Sequence, residues 1–266
     1  MKKQLLRQAD GSPWIAIAGE AHNSSASDAV YMSGIWEKAE ELGLNTLLLP
    51  VSWELIEPEE NRFEFTLVDE IIIQARNAGM HIIFLWFGTW KNAQSTYAPE
   101  WVKKDLQRFP RAEIEQGKRK IILKNFYNMP YTTLSYLGEE TNNADAKAFA
   151  GLMRHLRVID GKERTVLAVQ VENETGVQGS AREHSTLAEQ LFAKTPPQGL
   201  VDYLENHTDE MDESLKNVWQ NQNAGAERKI TPDSEHDGKE KDGKEKGWRE
   251  TFGLAADEIF SALHGS

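Results

Sequence analysis

Up to residue 171, short runs that are apolar throughout alternate with stretches whose apolar residues recur every three or four positions. Residues 14–19 make a short apolar segment with β-branched members, a strand pattern. A polar stretch at 20–28 leads into a helical pattern around 32–42, which Gly43 stops. NTLLLPV, residues 45–51, is a continuous apolar run of the kind found in strands buried on both faces, and Pro50 is expected where that strand leaves its ladder. In the next helix Thr66 is expected as N-cap, Leu67, Val68, Ile71, Ile72 and Ala75 repeat at helical spacing, and Gly79 ends the element. MHIIFLWF, residues 80–87, reads as a third buried strand. After a long connection containing Pro99 and Pro110, Phe149, Leu152, Met153 and Leu156 share one face of a helix over 145–158, and TVLAVQV at 165–171 is a fourth strand. Strands that alternate with helices and are apolar along their whole length imply parallel βαβ units, an α/β fold with the sheet covered by helices.

Beyond residue 171 the pattern changes, and no further convincing apolar strand follows. Helices are expected near 200–207 and 211–220. Residues 224–247 are nearly all polar, with Asp-Gly-Lys-Glu-Lys in tandem at 237–241 and 242–246, the composition of a solvated insertion. A last amphipathic helix carries Trp248, Phe252, Leu254, Ile259, Phe260 and Leu263.

Composition narrows the partners. With 39% hydrophobic residues the chain can fill one domain or one small barrel. The formal net charge of -12 argues against nucleic acid and anionic membranes, whose phosphates such a field repels, and favours a neutral or cationic small ligand. Without cysteine there is no disulfide framework or thiolate metal site. Residues 1–7 start like a signal peptide, but polarity returns at Arg7, Gln8 and Asp10, so export by that route is not expected and a cytoplasmic location is. The most apolar stretch, 80–87, is far shorter than the roughly 20 residues of a spanning helix, so no membrane segment is expected.

Parallel α/β folds place ligands at the carboxyl ends of their strands. Those ends here read Gly19-Glu20-Ala21-His22-Asn23, Trp53-Glu54-Leu55-Ile56-Glu57, Trp86-Phe87-Gly88-Thr89-Trp90 and Gln170-Val171-Glu172-Asn173-Glu174. Indoles beside carboxylates and amides suit a sugar, whose C–H face stacks on an aromatic ring while its hydroxyls need donors and acceptors. Blander roles compete: Trp53, Trp86 and Trp90 as core or rim aromatics, Glu54 and Glu57 as helix caps or partners of Arg62, and Glu20 as a structural acceptor. His22 finds no second histidine at ligand spacing, so metal binding is not expected there. His81 is expected to pack structurally and His155 to face outward. Lys91, after strand three, raises a Schiff-base role, but no phosphate-binding loop accompanies it.

At these residues a family resemblance becomes specific. QVENETG, residues 170–176, resembles the strand-four motif of glycoside hydrolase family 35, and its Asn-Glu pair that of the wider clan of retaining (β/α)₈ glycosidases. LGLNTLLLPVSWELIEPEENRFEF, residues 42–65, resembles the strand-two region of families 35 and 42. AGEAHNSSAS and LWFGTWKNAQSTYAPEWVK resemble a bacterial β-galactosidase-like group allied to family 35. The likeness extends over most of the chain.

The resemblance implies a partial TIM (β/α)₈ barrel of about four βα units with a helical C-terminal extension. Residues 1–223 would be its amino-terminal half, 224–247 a polar flexible insertion and 248–266 a terminal helix of the barrel. It also implies a retaining β-galactosidase without cofactor or metal. Glu174 would be the general acid/base and Asn173 a contact to the sugar 2-hydroxyl, with Glu20, His22, Trp53, Glu54, Trp86 and Trp90 as further substrate contacts. To hold its proton near neutral pH, Glu174 is expected to lie where apolar walls or negative charge raise its pKa. The clan's nucleophile belongs to strand seven, and the chain is expected to stop before strand five, so the nucleophile is expected to be absent and the product truncated. An exposed barrel edge would then invite self-association. The alternative reading is a non-catalytic carbohydrate-binding or interaction half-barrel.

Overall fold

The computed structural model describes residues 6–116, 119–122, 133–177, 179–227 and 247–264. In chain order the elements are β1 (Ala18–Glu20), α1 (Ala29–Glu41), β2 (Thr46–Ser52), α2 (Trp53–Ile56), α3 (Thr66–Asn77), β3 (His81–Phe87), α4 (Glu100–Lys104), β4 (Glu113–Gln116), β5 (Arg119–Ile122), α5 (Glu139–Ile159) and β6 (Val166–Val171). Then come α6 (Thr186–Phe192), α7 (Gln198–Asn206), α8 (Glu213–Glu227), α9 (Trp248–Phe252) and α10 (Ala256–His264). The chain divides into one unit of Met1–Ala112 with Ile122–Thr175 and a second of Glu113–Ile121 with Gly176–Ser266.

In the first unit, β1, β2, β3 and β6 form one sheet in that order, every pair parallel. Sequential order with parallel pairing is the arrangement of consecutive staves of a (β/α)₈ barrel. One face is packed by helices: Met32 and Trp36 of α1, Val68, Ile71 and Ile72 of α3, and Leu152 and Leu156 of α5 join Leu47, Leu49, Ile82, Phe84 and Trp86 in a single core. On the other face Leu48 and Ile83, paired in register, are only half-buried. Two left-handed glycines end the helices that feed the strands. Gly43 and Gly79 have φ of 71° and 65°, and just beyond them Leu44 N–H reaches Ala39 O and Met80 N–H reaches Ala75 O.

Several boundaries differ from expectation for local reasons. The first ladder begins only at Ala18, because the residues upstream bond to Asn45, backbone and side chain, just before β2 starts. Ile17 N–H donates to Asn45 Oδ1 at 2.9 Å and Asn45 Nδ2 donates to Ile15 O at 3.0 Å, leaving Ile15 81% and Ile17 56% exposed. Pro50 does not leave the ladder but pairs in register with Leu85. Leu48 O accepts from Ala21 N–H, so even-numbered backbone groups of β2 face β1, and β1 has already ended at the level of Leu48. The missing N–H of Pro50 therefore costs no strand partner. Thr66 is the first residue of α3 and Phe65 its N-cap; the Thr66 hydroxyl donates to Glu64 Oε1 at 2.5 Å. His155 does not face outward: its ring stacks on Phe65 at 4.1 Å, and Nε2 lies 2.6 Å from Asp69 Oδ1. His81 packs as expected, 4.4 Å from the Trp14 ring. Elements α2, α4, α6 and the β4–β5 ribbon, none longer than seven residues, are too short to stand out in the sequence pattern.

In the second unit Trp219, Trp248, Phe252 and Phe260 are buried together, with Trp248 edge-on to Phe260 at 5.1 Å. The single terminal helix expected there is split, because Gly253 takes φ 58°, ψ -128° between α9 and α10. Buried Arg182 donates to Asp257 Oδ1 at 2.7 Å and lies 4.0 Å over the Phe192 ring, tying the start of this unit to α6 and α10. Of the expected polar insertion at 224–247, residues 228–246, including both pentapeptide copies, lie outside the described residues.

Candidate active site

The carboxyl edge of the sheet brings together loops from every strand, and the loop after β6 is the most constrained of them. Glu172 and Glu174 both take left-handed backbone, with φ of 60° and 50°. For residues other than glycine this costs on the order of 1 kcal/mol or more each and persists only where surroundings enforce it. Here the loop after β3 supplies the enforcement. Ala93 N–H donates to Glu174 O at 3.0 Å, Lys91 Nζ donates to Asn173 Oδ1 at 2.7 Å, and Trp90 N–H donates to Glu172 Oε2 at 2.6 Å. Lys91 also lies 4.8 Å over the Phe87 ring, which fixes its reach toward Asn173.

Strand alternation would put Glu172 and Glu174 on the same face. The left-handed turn at Glu172 instead swings its carboxyl into the helix layer, beside Asp145 of α5. Asp145 Oδ1 accepts from Trp86 Nε1 at 2.8 Å, and Oδ2 accepts from Thr89 N–H and Thr89 Oγ1, each at 2.6 Å. Thr89 N–H also reaches Glu172 Oε1 at 3.1 Å. Burial first, then the charge of Asp145 and the hydrogen bond with it, push the Glu172 carboxyl up to about 10, against the opposing pull of the Trp90 and Thr89 amides. Asp145 takes three donors against two for Glu172, and with the Glu172 carboxyl the one pushed up, the proton of the pair sits on Glu172. Gly88 makes the approach possible, since a Cβ there would overlap Asp145 Oδ2, Glu172 Oε1 and Trp86 Nε1.

The residues expected at the site fall into four groups. Asn173 and Glu174 stand at the end of β6, Asn173 half-buried and the Glu174 side chain exposed. Glu20 is in register with Leu48, hence on the face away from the helices, and with His22 it is exposed near the end of β1. Glu54, after β2, is half-buried, with Lys103 Nζ 3.4 Å from Oε2. It opens with Ser24, Ser52, Leu67, Ile71 and Tyr97 onto a cavity of about 330 Å³. Two strand spacings of about 4.8 Å separate β2 from β6, so Glu54 is not brought beside Glu174.

The three indoles are buried, and none presents a stacking face. Trp53 Nε1 donates to buried Glu57 at 3.0 Å, Trp86 Nε1 is taken by Asp145, and Trp90 packs 6.2 Å from Tyr136. Glu57 also accepts from Asn61 N–H at 2.7 Å, while Arg62 pairs with Glu59 instead. Asp145 and Glu172 were not singled out in the sequence. The signal available was two carboxylates one residue apart at a strand end, which cannot both be held at one point without one being turned away. Among the described residues no cluster of His, Cys, Asp and Glu is arranged to hold a metal, and no helix is long and apolar enough to cross a membrane.

Comparison with known proteins adds the following. The family profile of glycoside hydrolase family 42, described as β-galactosidase, matches residues 29–225. No curated protein matches. Among solved structures, a polyextremophilic β-galactosidase from the Antarctic haloarchaeon Halorubrum lacusprofundi superposes with a TM-score of 0.51 at 16% identity, covering 94% of this chain and 32% of that one. A catalytic mutant of a family 42 β-galactosidase from G. stearothermophilus gives a TM-score of 0.49 at 15% identity, covering 94% of this chain and 34% of that one. The chain thus spans about a third of the length of these relatives, and the likeness to the haloarchaeal structure is one of fold.

Proposed function

Because the chain belongs to glycoside hydrolase family 42, the β-galactosidase family, we propose that it carries the acid/base half of a retaining glycosidase acting on terminal β-galactosides. The observation that carries this reading is the Asn173–Glu174 turn, pinned through Ala93 and Lys91 at the carboxyl end of β6 with the Glu174 side chain free to meet a ligand. Glu174 would protonate the departing glycosidic oxygen, then take a proton from the water that attacks the glycosyl-enzyme. Asn173 would hydrogen-bond the sugar 2-hydroxyl, a contact that strengthens as the oxocarbenium-like transition state forms. The nucleophile would come from a barrel strand other than the four of this sheet, about 5 to 5.5 Å from the acid. Glu20, on the face away from the helices, and His22 are the further sugar contacts we propose. Glu54 would serve only a ligand long enough to reach β2, and the buried indoles would shape the wall without stacking. We place the protein in the cytoplasm, a reading supported by the early return of polarity at Arg7, Gln8 and Asp10.

The test joins residues 1–266 to strands five to eight of a family 42 barrel and follows nitrophenyl β-galactoside. The expected result is hydrolysis that falls by about 100-fold or more in Glu174→Gln with KM little changed, and none by residues 1–266 alone. Brisk hydrolysis by the 266-residue chain that survives Glu174→Gln overturns the reading.

A further inference from the structure

We propose that Glu172 is a positioning residue for Glu174: accepting from the Thr89 and Trp90 amides, it ties the loop after β6 to the loop after β3 and so sets the direction in which the Glu174 carboxylate points. The inference rests on the assignment of Glu174 as acid/base. Three elements meet at this tie. From α5, Asp145 holds the Thr89 amide and hydroxyl and the Trp86 indole. From the β3 loop, Thr89 and Trp90 turn their amides onto Glu172. From the end of β6, Glu172 takes both amides and leads directly into the left-handed turn that displays Glu174.

The geometry admits no slack. A side chain at residue 88 would displace either carboxyl, so glycine stands where the two acids converge. The other two bonds between the loops, Lys91 to Asn173 and Ala93 to Glu174 O, lie within two residues of Glu172 and take their alignment from it. The ionisable groups set around Glu172 are Asp145 from α5, Lys91 at the adjoining Asn173, and Glu174 itself. Glutamine at residue 172 keeps the shorter contact, its carbonyl accepting from Trp90, and loses only the longer one to Thr89, whose N–H still donates to Asp145 Oδ2. Alanine keeps none.

The experiment has two arms. On the 266-residue chain, hydrogen exchange at pH 7 reads the amides of Trp90 and Ala93, with the mid-strand amide of Phe84 as control. Glu172→Gln is expected to leave all three protected as in the parent. Glu172→Ala is expected to lower protection at Trp90 and Ala93 by about 10-fold or more while sparing Phe84, as local rather than global opening does. In the joined barrel, Glu172→Ala is expected to cut kcat by about 100-fold with KM nearly constant, the cost of a misplaced acid, and Glu172→Gln to restore it at neutral pH. Unchanged exchange at Ala93 in Glu172→Ala, or loss of protection in Glu172→Gln, overturns the proposal. Should Glu172→Ala not fold, the glutamine variant decides the matter alone: parent-like protection and kcat support the tie, loss of either refutes it. Failure of the acid/base assignment shows differently, as hydrolysis that persists in Glu174→Gln while the exchange pattern holds.

Discussion

Asp145→Asn tests the buried acid pair most sharply, because the substitution changes almost no volume. The asparagine amide must face one of two places. Turned toward Thr89, it meets an N–H and a hydroxyl that both now donate to Oδ2 at 2.6 Å. Turned toward Trp86, it meets an indole N–H that donates to Oδ1 at 2.8 Å. The second choice loses less, yet it still forfeits one charge-assisted bond, worth about 1.5 to 3 kcal/mol, and leaves a buried indole N–H unpaired at about 1 to 3 kcal/mol. With Glu172 neutral at pH 7 no charge repulsion is relieved, so the expectation is about 3 kcal/mol or more of destabilisation. That is a large share of the roughly 5 to 15 kcal/mol by which a domain is stable. Urea unfolding of the 266-residue chain at pH 7, followed by tryptophan fluorescence, measures it, with Glu172→Gln as a control expected within about 1 kcal/mol of the parent. An Asp145→Asn midpoint equal to the parent's at an unchanged m-value would refute the hydrogen-bond assignment.

Other expectations follow from the same neighbourhood and from the core. Glu172 holds its proton in the folded chain up to about 10 but loses it near 4.5 when unfolded, so its contribution to stability is complete below pH 4.5 and lost as pH rises toward 10. The slope is about 1.4 kcal/mol per pH unit for the one proton. Unfolding curves at pH 6, 7, 8 and 9 should show that decline reduced in Glu172→Gln; parallel profiles for the two proteins contradict a proton on Glu172. Gly88→Ala drives a methyl into both carboxyls and the Trp86 indole and should cost about 2 to 3 kcal/mol, read as a lowered Tm by calorimetry. Phe84→Ala empties a fully buried position between the sheet and its helices and should cost about 3 to 5 kcal/mol in the same assay.

How much of this was legible in the sequence varies with the length of the signal. The runs that form β2 and β3, and the periodic stretches that form α1 and α3, agree with the structure within a few residues, because burial on one or both faces leaves a repeating mark; α5 instead begins at Glu139, ahead of the apolar face expected from 145. Short elements leave none: α4 and the β4–β5 ribbon each span only four or five residues. The strand ends were read as a row of ligand contacts, and Asn173 and Glu174 do stand at the end of β6. Trp53 and Trp86 were read as possible platforms because composition does not say which way an indole points; the pleat and the turn after each strand turned both inward.

The sequence by itself therefore determined the α/β alternation and the parallel sheet, since hydrophobic periodicity is a local property written residue by residue. What the tertiary structure alone decided is the contrast in surroundings between Glu172, turned onto the Thr89 and Trp90 amides, and Glu174, left exposed. Two identical side chains, two positions apart, part company because Asp145, 27 residues upstream of the first, and the bare backbone of Gly88 are brought to one of them by folding. A carboxyl's proton follows burial and neighbouring charge, and neither exists until distant segments of the chain meet.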